Sequence, residues 1–265
     1  MFNRFQLAQK YLRYYISASS GKGHGVHSPF VFDFIQHVLN DKKVYPCYPV
    51  IEAKRKELLR NETAIEVEDF GAGSSVIKTK QRVIKDIAAS SLKPKKYAQL
   101  LFRMAQYYKP ETILELGTSF GISSAYLASA NSTADVHTCE GASSIAAIAK
   151  QNFNELGLGN IHLTEGDFAH TLAVVLSQAR KVDLAFIDGN HQKEPTLNYF
   201  QQLLNNSTTS SIFIFDDIHW SAGMEAAWEE IKKHPAVTLT IDLFFIGIVI
   251  LSADFNHKQH FSIRF

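Results

Sequence analysis

Two cysteines and two tryptophans in 265 residues, and no long apolar run, remove several classes of protein at the outset. Cys47 and Cys139 are far apart and in no metal-like spacing, so neither a disulfide scaffold nor a cysteine-built zinc site is expected, and a reducing cytoplasm is the expected location. The longest apolar run, Phe244 to Leu251, falls far short of the roughly 20 residues that span a bilayer. The opening MFNRFQLAQKYLRYY is interrupted by Arg and Gln too often for a signal-peptide core. Neither secretion nor membrane insertion is expected. Internal repeats and low-complexity tracts are missing too, and with 46% hydrophobic and 20% charged residues the chain has the composition of an ordinary globular protein rather than a disordered one.

The net charge of +1 hides an asymmetry: 19 Lys and Arg stand against 9 Asp and Glu before Pro110, and 8 against 17 from there on. A basic appendage beside a cleft could steer an anionic substrate. A solvated basic helical surface packed on an acidic domain is the plainer expectation, and no nucleic-acid partner is inferred.

From Glu111 onward short apolar runs alternate with helical patterns, the signature of a parallel, doubly wound sheet. Seven strands are expected, at Thr112–Leu116, Asp135–Glu140, Ile161–Glu165, Val182–Ile187, Ser211–Phe215, Val237–Asp242 and Gly247–Leu251, with helices in the first five intervals. The last two lie too close for a parallel crossover and should form an antiparallel hairpin. Before this the chain reads as helices near Gln6–Ser17, Pro29–Leu39, Val50–Arg60, Thr79–Ser90 and Lys95–Tyr108. The expected organisation is a helical N-terminal extension over residues 1–93, serving as a lid or dimerisation segment, and a Rossmann-like α/β catalytic domain over 94–265. Phe2, Phe5, Leu12 and Ile16 fall roughly on one side of the first helix; packing on the catalytic domain or on a second subunit is expected there in preference to a membrane surface.

The stretch TILELGTSFGISSAYLA, Thr112 to Ala128, carries the functional argument. An apolar strand ends in Glu115 and Leu116, a loop with Gly117, Thr118, Ser119 and Gly121 follows, and a helix opens whose unpaired N–H groups face a carboxylate or phosphate. Ligands bind at the carboxyl ends of such strands. Glu140 closes the next strand, where a carboxylate can accept both ribose hydroxyls of a nucleoside. Ser119 stands where a dinucleotide loop needs its second glycine, and no G-x-x-x-x-G-K-[ST] exists, so neither a pyrophosphate nor P-loop hydrolysis is expected. S-adenosylmethionine meets these requirements: adenosine without a pyrophosphate, plus an amino-acid tail for the glycine loop.

ELGTSFGIS resembles the first motif of class I S-adenosylmethionine-dependent methyltransferases, above all the catechol and caffeoyl-CoA O-methyltransferase branch. The resemblance extends over roughly Pro94 to Leu251. It implies that Glu115, Gly117, Ser119 and Ser123 lie around the methionine portion, that Glu140 binds the ribose, and that Asp167 of EGDF lies near the adenine, although Asp167 could equally cap the helix that follows.

The fourth strand of the set runs into FIDGNH and the fifth into FIFDDIHW, which brings Asp188, Asp216 and Asp217 to one edge of the sheet. Clustered carboxylates repel one another unless a cation neutralises them, and an oxygen-only set suits Mg²⁺ or Ca²⁺. The metal-dependent O-methyltransferases of the resembling branch carry an Asp after the fourth strand and an Asp-Asn or Asp-Asp pair after the fifth, matching these three positions. Asp188 is also a candidate for the cofactor's ammonium group, and with His191 a candidate catalytic residue. His191 stands where those enzymes have a lysine, and a neutral imidazole can take a proton near pH 7. The expected reaction is methylation of an oxygen on a small-molecule acceptor, with His219 and Trp220 lining its pocket and Trp228 in the core. Two alternatives remain: a nicotinamide-dependent oxidoreductase, opposed by Ser119 and the antiparallel ending, and a non-catalytic S-adenosylmethionine-binding module, opposed by the acidic trio with His191. A homodimer is the candidate assembly. His24 and His27 in GHGVHSPF and the DFGAGSS loop (Asp69–Ser75) are expected to cover a pocket rather than to hold a metal or a second cofactor.

Overall fold

The computed structural model describes residues 1–67, 81–179, 181–252, 254–255 and 257–265. In chain order it runs α1 (Arg4–Ser17), α2 (Pro29–Phe34) continued by a π-helical turn (Ile35–Leu39), α3 (Cys47–Leu58), β1 (Ala64–Glu66), β2 (Gln81–Val83), α4 (Ile84–Ser91), α5 (Lys95–Tyr108), β3 (Thr112–Leu116), α6 (Ile122–Ala130), β4 (Asp135–Glu140), α7 (Ser143–Glu155) and β5 (Ile161–Glu165). It continues with α8 (Phe168–Gln178), β6 (Val182–Ile187), α9 (Lys193–Asn205), β7 (Ser207–Asp216), α10 (Ala222–Lys233), β8 (Leu239–Asp242), β9 (Ile246–Ile250) and β10 (Gln259–Ser262). Two compact units share these elements: Lys42–Ala179, and Met1–Asp41 together with Arg180–Phe265. The stretch read as one helical extension, 1–93, is thus divided between them.

In the unit Lys42–Ala179, β3, β4 and β5 lie side by side and parallel, with Glu115 opposite Thr138 and Glu140 opposite Glu165. All five residues of β3 are buried, as a parallel strand covered on both faces requires. A core of Ile51, Ile87, Phe102, Phe120 and Tyr126 joins α3, α4, α5 and α6. β2, which pairs antiparallel with β1 (Ala64 opposite Val83), was not expected; the described part of the helix anticipated from Thr79 begins at Ile84. The DFGAGSS loop lies outside the described residues.

In the other unit β6 and β7 are parallel, and β9 is antiparallel to both β7 and β8, so the expected terminal hairpin is present. β10 pairs in parallel with β8, Gln259 opposite Leu239. β10 is a strand beyond the seven expected, a correction that rests on a short edge segment whose QHFS sequence lacks the apolar run of its neighbours. Trp228 is buried as anticipated, its ring lying so close to β9 that a Cβ on Gly247 would come within 2.8 Å of it. The α/β, Rossmann-like class stands. Among the described residues no helix is long and apolar enough to cross a membrane.

Candidate active site

The loop after β3 is built largely from backbone. Gly117 (φ 101°) turns the chain, and the N–H groups of Gly117 and Thr118 both donate to the Cys139 carbonyl, at 3.0 and 3.1 Å, tying the loop to β4. Ser119 takes a left-handed conformation (φ 49°), its N–H donating to Glu140 Oε2 at 2.8 Å while its hydroxyl lies 2.8 Å from that of Ser91. Gly121 (φ 81°) opens α6, where a Cβ would run into the Phe153 ring. Any side chain there would be both strained and obstructed, which ties the glycine to packing as well as to the turn.

Beneath the loop Glu115 is fully buried. Its Oε2 accepts hydrogen bonds from the hydroxyls of Ser124 and Thr138, and the Thr138 hydroxyl also meets that of Thr118 at 2.6 Å. Ser123 is buried in the first turn of α6. Glu140 ends β4 with its carboxylate turned toward the loop, accepting from the N–H groups of Ser119 and Ala142. Burial pushes the Glu140 pKa up, and these N–H groups pull only partly against it. Asp167 caps α8, accepting from the Ala169 N–H at 3.0 Å. Cys139 is a buried free thiol with its pKa pushed up to about 11 by burial.

In the other unit Asp188 follows β6 and Asp216 ends β7. Asp188, His191 and Asp216 each present one ligand atom within 4.8 Å of the others, and His191 Nε2 lies 3.5 Å from Asp188 Oδ1. Asp216 is buried. The turn that aims His191 is unusual, because Asn190 (φ 65°) and His191 (φ 23°) are successive non-glycine residues with positive φ, and the Asn190 amide donates to the Tyr199 hydroxyl at 3.3 Å. Asp217 also has positive φ (53°); it donates its backbone N–H to the Phe245 carbonyl and lies outside the converging group. Of the three side chains expected at a metal, Asp188 and Asp216 thus converge, and the third member of the group is His191, expected as the base. The sequence pattern gave no sign of the bond between Asn190 and Tyr199, which depends on backbone conformation.

His219 is held at both ring nitrogens by carboxylates, Glu225 at 3.0 Å and Asp242 at 2.9 Å, and its ring stacks on Phe244. The neighbouring Trp220 carbonyl accepts the Phe2 N–H. His24 and His27 belong to no group of converging metal-ligand side chains among the described residues.

Residues 114–218 match a family model described as a methyltransferase domain. No curated protein matches the chain. Several solved structures share its fold. The SAH-bound methyltransferase PaMTH1 of Podospora anserina is 13% identical with a TM-score of 0.58, over 94% of this chain and 96% of that one. The O-methyltransferase of Bacillus cereus, in complex with SAH, is 20% identical with a TM-score of 0.56, over 83% and 97%. A putative caffeoyl-CoA O-methyltransferase of Staphylococcus aureus is 20% identical with a TM-score of 0.55, over 61% and 85%.

Proposed function

Taking as premise that the chain carries a methyltransferase domain on a Rossmann-like fold, we propose that it transfers a methyl group from S-adenosylmethionine to an oxygen of a small-molecule acceptor. The observation that carries this reading is the Glu140 carboxylate, partly buried at the end of β4 and hydrogen-bonded to the loop N–H of Ser119. A carboxylate so placed beside a glycine turn suits a ribose and leaves no backbone cradle for a pyrophosphate. Gly117, Thr118, Ser119, Gly121 and Ser123 shape the methionine end of the cofactor site over the buried Glu115, and Asp167 stands on the adenine side. The bound cofactor supplies a sulfonium methyl with its own leaving group, so the protein's work is to position the acceptor and to receive its proton.

His191 is the proposed proton acceptor, with Asp188 Oδ1 standing 3.5 Å from its Nε2 to orient the imidazole. Asp188 and Asp216 converge closely enough to hold a divalent cation, without Asp217. Mg²⁺ or Ca²⁺ there would fix two acceptor oxygens and make the attacking one more acidic. The location proposed is the cytoplasm.

Calorimetric titration with S-adenosylmethionine, S-adenosylhomocysteine and NAD, each with and without Mg²⁺, tests the reading. The first two should bind and NAD should not. Binding of NAD alone would move the protein to the oxidoreductases. Unchanged Mg²⁺ binding in an Asp188→Ala, Asp216→Ala double variant would remove the metal from the account.

A further inference from the structure

We propose that the outer face of α1 is a docking surface for an anionic phospholipid bilayer, on which the protein lies without crossing it. The helix has two apolar stripes. Leu7, Tyr11, Tyr14 and Ala18 form the inner one, packed on Phe244 and Phe245. Lys10 fastens the same helix to Glu225, and the Tyr14 hydroxyl donates to the Ile263 carbonyl. The Asn3–Gln6 capping box closes the helix start. The core contacts are thus already satisfied when the other stripe is considered.

That outer stripe is Met1, Phe5, Leu12, Tyr15 and Ile16, with exposures of 70, 79, 59, 48 and 71%. These are five of the eleven large hydrophobic side chains exposed among the described residues, four of them on α1 and the fifth three residues before it. Scattered single apolar side chains need no explanation, but a contiguous stripe of this kind marks an interaction surface.

Its charge identifies the occupant. Residues 1–32 contain Arg4, Lys10, Arg13 and Lys22 and no Asp or Glu. At about 100° per residue, Arg4 and Arg13 fall on opposite sides of the stripe. Arg264 adds a third cation at the rim, its guanidinium 5.3 Å from the Tyr15 ring. A second copy paired through this face would set cation against cation with no carboxylate on either helix to answer it. A leaflet of anionic phospholipid meets both features, since the apolar side chains reach the acyl boundary while the arginines meet phosphates. Because α1 is already folded and fastened, no ordering cost opposes the contact. The inference does not depend on the methyltransferase reading.

Flotation of the full chain with vesicles of phosphatidylcholine alone, and of phosphatidylcholine with about three-tenths phosphatidylglycerol, tests it. Binding to the anionic vesicles is expected, weakened by about tenfold or more on the neutral ones, at high salt, or in an Arg4→Gln, Arg13→Gln variant. Phe5→Asp with Ile16→Asp should abolish flotation and leave the melting temperature in place, since both side chains are exposed. Failure to float with either vesicle, or equal flotation with both, overturns the proposal. So does a dimer in light scattering that Phe5→Asp with Ile16→Asp converts to monomer, which would assign the face to a second copy.

Discussion

His191 Nε2 faces Asp188 Oδ1 at 3.5 Å across a turn in which Asn190 and His191 both have positive φ. Such a turn persists only where its surroundings determine it, here through the Asn190 amide on the Tyr199 hydroxyl. Asn190→Ala should therefore lower stability by about 1 kcal/mol, because alanine tolerates the left-handed region poorly. Asn190→Gly should stay within about 0.5 kcal/mol of the parent, losing the bond but not the conformation. Urea unfolding of the two variants decides this. Equal stability of the alanine variant and the parent would mean that the turn is held by something else.

Gly121 is constrained twice, by a φ of 81° and by the Phe153 ring where a Cβ would stand. Gly121→Ala should cost about 2–3 kcal/mol and weaken S-adenosylmethionine binding, since the start of α6 must shift. Adding Phe153→Leu should return part of the stability by opening space, but not the part owed to φ. Full recovery in the double variant would show that the backbone conformation is not strained.

Much of this was legible in the sequence, and what was missed has a common cause. β3, β4, β5 and β6 begin and end as expected, β3 and β6 because a buried parallel strand leaves few polar positions, and all four because their turns are marked by glycine, asparagine or a charge. β7 begins earlier than its apolar run because the Ser207–Ser210 segment is recruited by pairing rather than by burial. β10 was invisible because its QHFS segment is stabilised by a partner some twenty residues away. The site divides in the same way. Gly117, Ser119 and Glu140 lie in a local motif and could be read from spacing, whereas the link of His219 to Glu225 and Asp242 joins three elements and no spacing announces it.

Glu115 invites a test of what the buried strand end contributes. Its Oε2 is shared by the hydroxyls of Ser124 and Thr138 in a fully buried setting. Glu115→Ala should cost about 2 kcal/mol or more, because two buried donors lose one acceptor together. Ser124→Ala should cost less, about 1 kcal/mol, since Thr138 keeps its partner. The double variant should then fall short of the sum of the two. Strict additivity in unfolding experiments would mean that Ser124 and Glu115 act independently.

His219 sets a pH dependence whose sign follows from its surroundings. Burial by itself lowers the pKa from its ordinary value of 6.5, but hydrogen bonding and charge from Asp242, and then from Glu225, outweigh it, and the folded value is raised. Lys10 is the other charged group at this place, bonded to the same Glu225. A raised folded pKa means that the folded state holds the proton more tightly than the unfolded chain. The stability this contributes is fully present below 6.5 and is lost as the pH climbs through the folded pKa. His219→Gln removes the titrating group and retains a side chain able to bond one carboxylate. The melting temperature of the parent should exceed that of the variant most at about pH 6, and the gap should narrow steadily toward about pH 9. A gap that stays constant over that range would show that folding leaves the His219 pKa unshifted, and one that widens would show that the fold lowers it and holds the ring neutral.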